Sequence, residues 1–426
     1  MDNAQELSKP VLRKILSWNG ILSHDQGEYE LALNFHNKSL ALSSELNDKT
    51  GIAGTLNSMG AIESDRGNYD RAQKYYNESL VLRRELGDDF NIARSLGNLG
   101  SLAYELGNFE QAQKYYNESL DLKRKTGNKY SVEETLNNLG NIAFAHGNYE
   151  QAQKFQEDSL ALNRELGNKI GLANSLNNLG KTEFTRGFYE QALKYYEESL
   201  AIQNEIGEKS GISYSLNDIG NLYLQLENFE QAGGYFQEGL ANFRIMGEKL
   251  GIAISLYNLG NLALIKSEYS ESLKLIEESL VISREIGDKW GIALNINALG
   301  SLAFYDGNYE QAQKYFKQSL DLKQEMGDIR GILLTLIGSS AIYCKCNHAK
   351  EALIILSFVE TTEKSLGCIL DIIEQNLKEQ IMNDLHELLN DEDYFKHFEE
   401  GKKLTLDEAC HLAVNDKKFQ ISNDNL

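Results

Sequence analysis

Apolar residues recur along the chain at three- and four-residue intervals, and the pattern itself returns every 40 residues. In TLNNLGNIAF (Thr135–Phe144) the apolar positions fall four and one before the glycine and three after it, at Leu136, Leu139 and Ala143. That spacing is one stripe of a 3.6-residue helix, called helix A here. Gly-Asn at 107–108, 147–148 and 307–308 predicts its end, with glycine in a left-handed C′ position and asparagine capping the helix that follows. Gln111, Gln151 and Gln311, three residues after those asparagines, complete a capping-box pattern. Helix B then runs through stretches such as YEQAQKFQEDSLALNREL (Tyr149–Leu166), until a second glycine stops it.

Four series keep this register. Gly20, Gly60, Gly100, Gly140, Gly180, Gly220, Gly260 and Gly300 recur without an insertion or deletion. An aromatic follows nine residues after each, at Tyr29, Tyr69, Phe109, Tyr149, Tyr189, Phe229, Tyr269 and Tyr309. A small residue stands three further on, from Ala32 to Ala312, with Ser272 as the single non-alanine. The closing glycines from Gly87 to Gly327 continue to Gly367 and mark a worn ninth unit, in which Ser340 replaces the first glycine and Ala349 the aromatic. Each unit predicts an antiparallel helical hairpin whose small residues let its two helices approach closely. A lone hairpin leaves its apolar side bare, so neighbours must stack.

Composition narrows the function classes. A single proline, where average usage gives about 21, favours long helices. The net charge of −21 makes nucleic acid and anionic membrane surfaces poor partners. No stretch reaches about 18 continuous apolar residues, and MDNAQELSKPVLRK lacks the pattern of a secretory signal, so the expected location is the cytoplasm. Cys344, Cys346, Cys368 and Cys410 are too few for a disulfide scaffold, and Cys344-x-Cys346-x-His348 lacks zinc spacing. The seven histidines share no repeat position, and HExxH, GxSxG and phosphate-loop motifs are missing. The expectation is a non-enzymatic protein without cofactor or metal.

The run L-G, an aromatic or small residue, G-N-Y/F-x-x-A and then Y/F, as in Asn138–Gln156, resembles the tetratricopeptide repeat family. The 40-residue unit, with a longer helix B and no closing proline, resembles the Pins-type and bacterial MalT-like variants. The segment Tyr394–Asp416, through Phe395, Glu400, Gly401, Leu404, Asp407, Glu408, Ala409 and Ala413, is similar to the end of bacterial predicted-ATPase and LuxR-type regulators. These resemblances imply an all-α, right-handed αα-superhelical solenoid that binds peptides or partner domains. The expected organisation is a flexible 1–9, eight repeats over 10–329, a degenerate ninth over 330–369, a helical cap over 370–416 and a flexible tail over 417–426.

Helical geometry also separates two sides of helix A. Opposite its apolar stripe lie the positions six, three and two before the glycine and one and five after it, which in a stacked solenoid line the concave wall. There the sequence places Asn98, Asn137, Asn138, Asn141, Asn174, Asn177, Asn178, Lys181, Tyr214, Asn217, Asn221, Tyr257, Asn258, Asn261, Asn297 and Tyr305. Asparagine costs about 0.5 kcal/mol against alanine inside a helix, so a merely solvated face would carry Glu and Lys instead. Amides can pair with the N–H and C=O of an extended peptide whatever its side chains. Two uses stay open: contact with a ligand, or bonding between neighbouring A helices. The apolar side chains Ile254, Ile265, Leu294 and Phe304 add hydrophobic anchors toward the C-terminal repeats. The expected molecule is a monomeric scaffold holding a peptide or protein partner along this asparagine ladder; the alternative is a sensor module of an NTPase-type regulatory system.

Overall fold

The computed structural model describes residues 8–127 and 129–414, and the outermost parts of the expected flexible ends, 1–7 and 417–426, lie outside them. All regular structure among the described residues is helical, in two compact units covering 1–142 and 143–426.

The first unit holds α1 (Lys9–Asp25), α2 (Tyr29–Glu45), α3 (Lys49–Asp65), α4 (Tyr69–Leu86), α5 (Asp89–Glu105), α6 (Phe109–Thr126) and most of α7 (Lys129–Ala145). Odd-numbered helices are A helices and even-numbered ones B helices. Each hairpin closes on the predicted small residues. Ala32, Ala72 and Ala112 are wholly buried, and a Cβ added to Gly60 or Gly100 would lie 2.7 or 2.8 Å from the ring of Tyr76 or Tyr116.

The second unit repeats this scheme in α8 (Tyr149–Leu166), α9 (Lys169–Thr185), α10 (Tyr189–Ile206), α11 (Lys209–Gln225), α12 (Phe229–Met246), α13 (Lys249–Ile265), α14 (Tyr269–Ile286), α15 (Lys289–Tyr305) and α16 (Tyr309–Met326). The worn repeat forms a full hairpin, α17 (Ile329–Lys345) and α18 (Ala349–Leu366). Every residue of α17 from Gly331 to Cys344 is buried, because α19 (Ile372–Leu388) and α21 (Leu406–Ala413) pack on it, while α20 (Asp391–Gly401) packs on α18. Thr405 caps α21 through a reciprocal capping box with Glu408. Asn108 and Asn308 accept the N–H of Gln111 and Gln311, whereas Asn148 makes no side-chain cap.

Helix B ends where Gly87 turns left-handed at φ 64°, and its counterparts do the same. At the turn from helix A to helix B, Glu227 and Ser267 stand where other repeats have glycine, yet adopt φ 59° and 61°. An L residue is strained there by roughly 1–2 kcal/mol. Ser267→Gly therefore raises stability by about 0.5–1 kcal/mol after the entropy of glycine is deducted, a shift that urea denaturation reads directly.

His36 occupies the ring position of the first repeat and is wholly buried, with neither ring nitrogen hydrogen-bonded. Burial, followed by repulsion from His24, pushes its imidazole down to about 4. Between pH 6.5 and 4 the unfolded chain takes up a proton that the folded chain refuses, so stability falls as pH falls through that window. His36→Phe removes this loss and stabilises the first hairpin on the order of 2 kcal/mol at pH 5, with a smaller gain at pH 7. Unfolding of the two proteins at both pH values tests the sign and the slope.

Candidate functional site

Buried hydroxyls hold the two helices of a hairpin in register. Ser79, Ser119, Ser199 and Ser279 donate from helix B to the carbonyls of Ala53, Ala93, Ala173 and Ala253 on helix A, each at 2.8 Å. A second polar position, four residues later on helix B, reaches the next repeat. Arg83 donates to Ser95 at 2.6 Å, Lys123 to Thr135 at 2.8 Å and Asn163 to Ser175 at 3.1 Å, while Gln203 accepts from Ser215 at 2.8 Å. Lys323 repeats the contact with Thr335 at 2.8 Å, and burial lowers its ammonium to about 8.

The asparagines divide against this frame. Nδ2 of Asn98 donates to Oδ1 of Asn57 at 3.2 Å, and Nδ2 of Asn258 donates to Oδ1 of Asn217 at the same distance, each linking neighbouring A helices. Asn217 also donates to Ser255 at 2.9 Å, and Asn297 accepts from Thr335 at 2.9 Å. Asn177 lies beside the carboxylate of Asp218, which burial raises above the usual range against the pull of Lys181 at 3.4 Å. Asn57, Asn177, Asn217, Asn258 and Asn297 are buried. The position three before the glycine thus points at the next A helix, not at open space. A signal in the sequence was the row Thr55, Ser95, Thr135, Ser175, Ser215 and Ser255, which supplies hydroxyls on the same flank.

The other positions keep more of their surface. Asn174 is exposed, and Asn138, Asn141, Asn178, Lys181, Asn221 and Asn261 are half-buried, as is Asn137. Tyr214 donates to Glu248 at 2.8 Å, and Tyr305 stacks on Tyr269 with ring centres 5.8 Å apart. Tyr257 lies beside Asn261, and burial, with the charge of Glu374 nearby, raises its phenol.

Glu374 leads to what the repeat pattern hid. Past α18, Gly367 turns left-handed, and the four residues from Cys368 to Asp371 continue without helical structure before α19 begins. They lie on repeats four to seven. The N–H of Ile369 donates to the carbonyl of Thr185 at 2.7 Å. Gln225, five residues after its repeat's glycine, donates to the carbonyl of Leu370 at 3.2 Å and accepts the N–H of Ile372 at 2.9 Å. Arg330 pairs with Asp371 at 2.7 Å, and Tyr149 lies beside the thiol of Cys368. Ile372 and Ile373 pack among Leu224, Leu262 and Ile265, and Ile373 also joins the cluster around Tyr257 and Ile296. The expected anchor Ile265 and the expected wall residue Tyr257 are therefore packed against by the chain itself. Burial and the neighbouring Asp371 push the Glu374 carboxyl up to about 8.

Two family models, both described as tetratricopeptide repeat, match this chain, one over 51–125, 131–205, 172–245 and 251–325 and the other over 98–162. The chain belongs to the tetratricopeptide repeat family and is a scaffold of that type. No curated protein sequence matches it. Its fold is similar to that of the apo quorum sensor NprR from B. thuringiensis, at 17% identity and TM-score 0.60, covering 75% of this chain and 89% of that one. It is similar to a Rap protein complexed with Competence and Sporulation Factor, at 14% identity and TM-score 0.58, covering 76% and 89%. A signal transduction ATPase with a tetratricopeptide repeat sensor from Pyrococcus horikoshii aligns at 17% identity and TM-score 0.50, over 75% of this chain and 48% of that one. Among the described residues, no cluster of His, Cys, Asp or Glu could hold a metal, and no helix is long and apolar enough to cross a membrane.

Truncating Asn217 separates its packing from any surface role. Asn217→Ala leaves Asn258 and Ser255 without their partner, so it destabilises by about 1–3 kcal/mol. Urea denaturation checks this, and an unchanged midpoint contradicts the stacking assignment.

Proposed function

We propose that the chain is a non-enzymatic regulatory scaffold whose A-helix wall in the second unit holds an extended peptide, or an extended segment of a protein partner. Gln225 carries this proposal: one side-chain amide on an A helix grips both the C=O and the N–H of an extended stretch of main chain. Asn174 and Asn221 lie on the same wall, and neither makes a hydrogen bond among the described residues. An amide pair of this kind recognises backbone, so the ligand's side chains select it elsewhere, at apolar pockets between repeats. Lys181 is engaged by Asp218 and adds little net charge. The wall therefore suits a neutral or weakly charged segment. The similar Rap structure contains Competence and Sporulation Factor, and NprR is a quorum sensor, which supports a regulatory role.

The second reading, a sensor module working with an NTPase-type regulator, is favoured by the Tyr394–Asp416 resemblance and by the fold of the ATPase's repeat sensor. A retained partner that carries a phosphate loop would select it.

Asn174→Ala combined with Asn221→Ala removes two exposed or half-buried amides that support no neighbour. The immobilised variant is expected to lose the proteins or peptides that the wild type retains from a lysate, identified by mass spectrometry. Its thermal unfolding stays within about 0.5 kcal/mol of wild type, as for surface substitutions generally. Retention of the same set by the double variant refutes the wall as the contact surface.

A further inference from the structure

The stretch Gly367–Ile373 breaks the rule that every earlier repeat obeys. After Gly87 the next A helix begins at Asp89, and after Gly327 it begins at Ile329. After Gly367 the next helix waits until Ile372, and the intervening chain runs over the wall. Its contacts are those of a bound peptide. Main-chain groups of Ile369, Leu370 and Ile372 are held by Thr185 and Gln225, and Arg330 reaches the carbonyl of Ile369 at 3.1 Å as well as the carboxylate of Asp371. Side chains fill the gaps left by glycines at two turns, Leu366 over Gly147 and Ile369 over Gly187. Leu370 is 1% exposed and Cys368 5%. Both ends are anchored independently, by α18 before the stretch and by Leu377, Ile381 and Leu385 of α19 after it.

We propose that Gly367–Ile373 is a built-in occupant of a peptide-recognition site formed by Tyr149, Thr185, Gln225 and Arg330, and that a partner segment of the same chemistry, aliphatic residues followed by a carboxylate, binds there by replacing it. This rests on the wall being a peptide receptor and adds the ligand class and its competitor. One Gln225 amide cannot pair with two backbones, so occupation by the strap and by a partner exclude each other. A tethered competitor acts at an effective concentration in the millimolar range, which lowers the apparent affinity for a free segment by the fraction of time the site stands open.

The probe is a synthetic peptide with the sequence of Leu366–Ile373, serine in place of cysteine and a fluorophore at its N-terminus, read by anisotropy against the full chain. Weakening the strap with Ile369→Ala and Asp371→Ala is expected to tighten probe binding by about tenfold or more over wild type. Adding Gln225→Ala to that variant abolishes the gain. In wild type, saturating probe is expected to speed alkylation of Cys368, followed by mass spectrometry, while Cys344 and Cys410 stay protected. A folded strap variant that binds no more tightly than wild type overturns the proposal. If that variant does not fold, the wild-type Cys368 rate decides, and a rate unmoved by millimolar probe overturns it. Either failure leaves the Asn174 and Asn221 experiment untouched, so loss of the strap site and loss of the receptor reading remain separate results.

Discussion

A helix B side chain laid on a helix A glycine, as at Gly60, Gly100, Gly180, Gly220, Gly260 and Gly300, is the contact from which the rest of the structure follows. At Gly60, Gly220 and Gly300 an added Cβ would stand 2.7, 2.6 and 2.6 Å from Tyr76, Phe236 and Phe316. A ring that cannot be displaced leaves room for hydrogen alone, and overpacking of this kind costs about 1–3 kcal/mol. The contact also sets the register. With the ring of Tyr76 on Gly60, Ser79 comes to lie 2.8 Å from the carbonyl of Ala53, two helical turns back. Aliphatic Ile276 fills the same place over Gly260, so shape rather than aromaticity is what the position requires.

Stacking between repeats obeys a different rule. Its polar contacts are buried, and each donor or acceptor left unpaired there would cost about 1–3 kcal/mol. The contact is met by Arg83, Lys123, Asn163 and Gln203 in successive repeats, a cation twice and an amide twice, always against a Ser or Thr of the next A helix. Where this position is Phe243, its ring lies against Gly251 of the next A helix and edge-on, at 4.8 Å, against Tyr214 of its own hairpin. Chemistry varies and geometry does not, so the position offers no recurring residue type to notice.

That difference decides what the sequence could tell. The hairpins were legible because the ring contact demands glycine and a small residue at fixed spacing, and both recur from Gly20 to Gly300. Even the worn repeat was legible, since Gly327 and Gly367 bracket it. The wall was legible only as a set of positions. A helical wheel places Asn217 and Asn221 on one side, yet the first bonds Asn258 and Ser255 while the second makes no such bond, a distinction of one turn that depends on how close the next A helix lies. The strap was hidden for another reason. Leu370, Ile373, Leu377 and Ile381 are spaced as in a helix, so the run from 370 reads as one helix, whereas Thr185, Gln225 and Arg330, far away in sequence, hold its start extended together with Gln375 nearby.

One kind of side chain therefore serves two ends in this fold. An amide on helix A has a donor and an acceptor a few ångströms apart, and what it does depends on what lies opposite. Facing a helix, whose main-chain N–H groups are already paired along its axis, it bonds side chains such as Ser255 besides a carbonyl of its own helix, and it knits repeats together. Facing an extended chain, whose N–H and C=O are unpaired, it can satisfy both at once, as Gln225 does with Ile372 and Leu370. The repeat array supplies the first situation at every interface. The second arises where the chain leaves the repeat at Gly367, because an unpaired backbone entering a partly buried wall must find partners there.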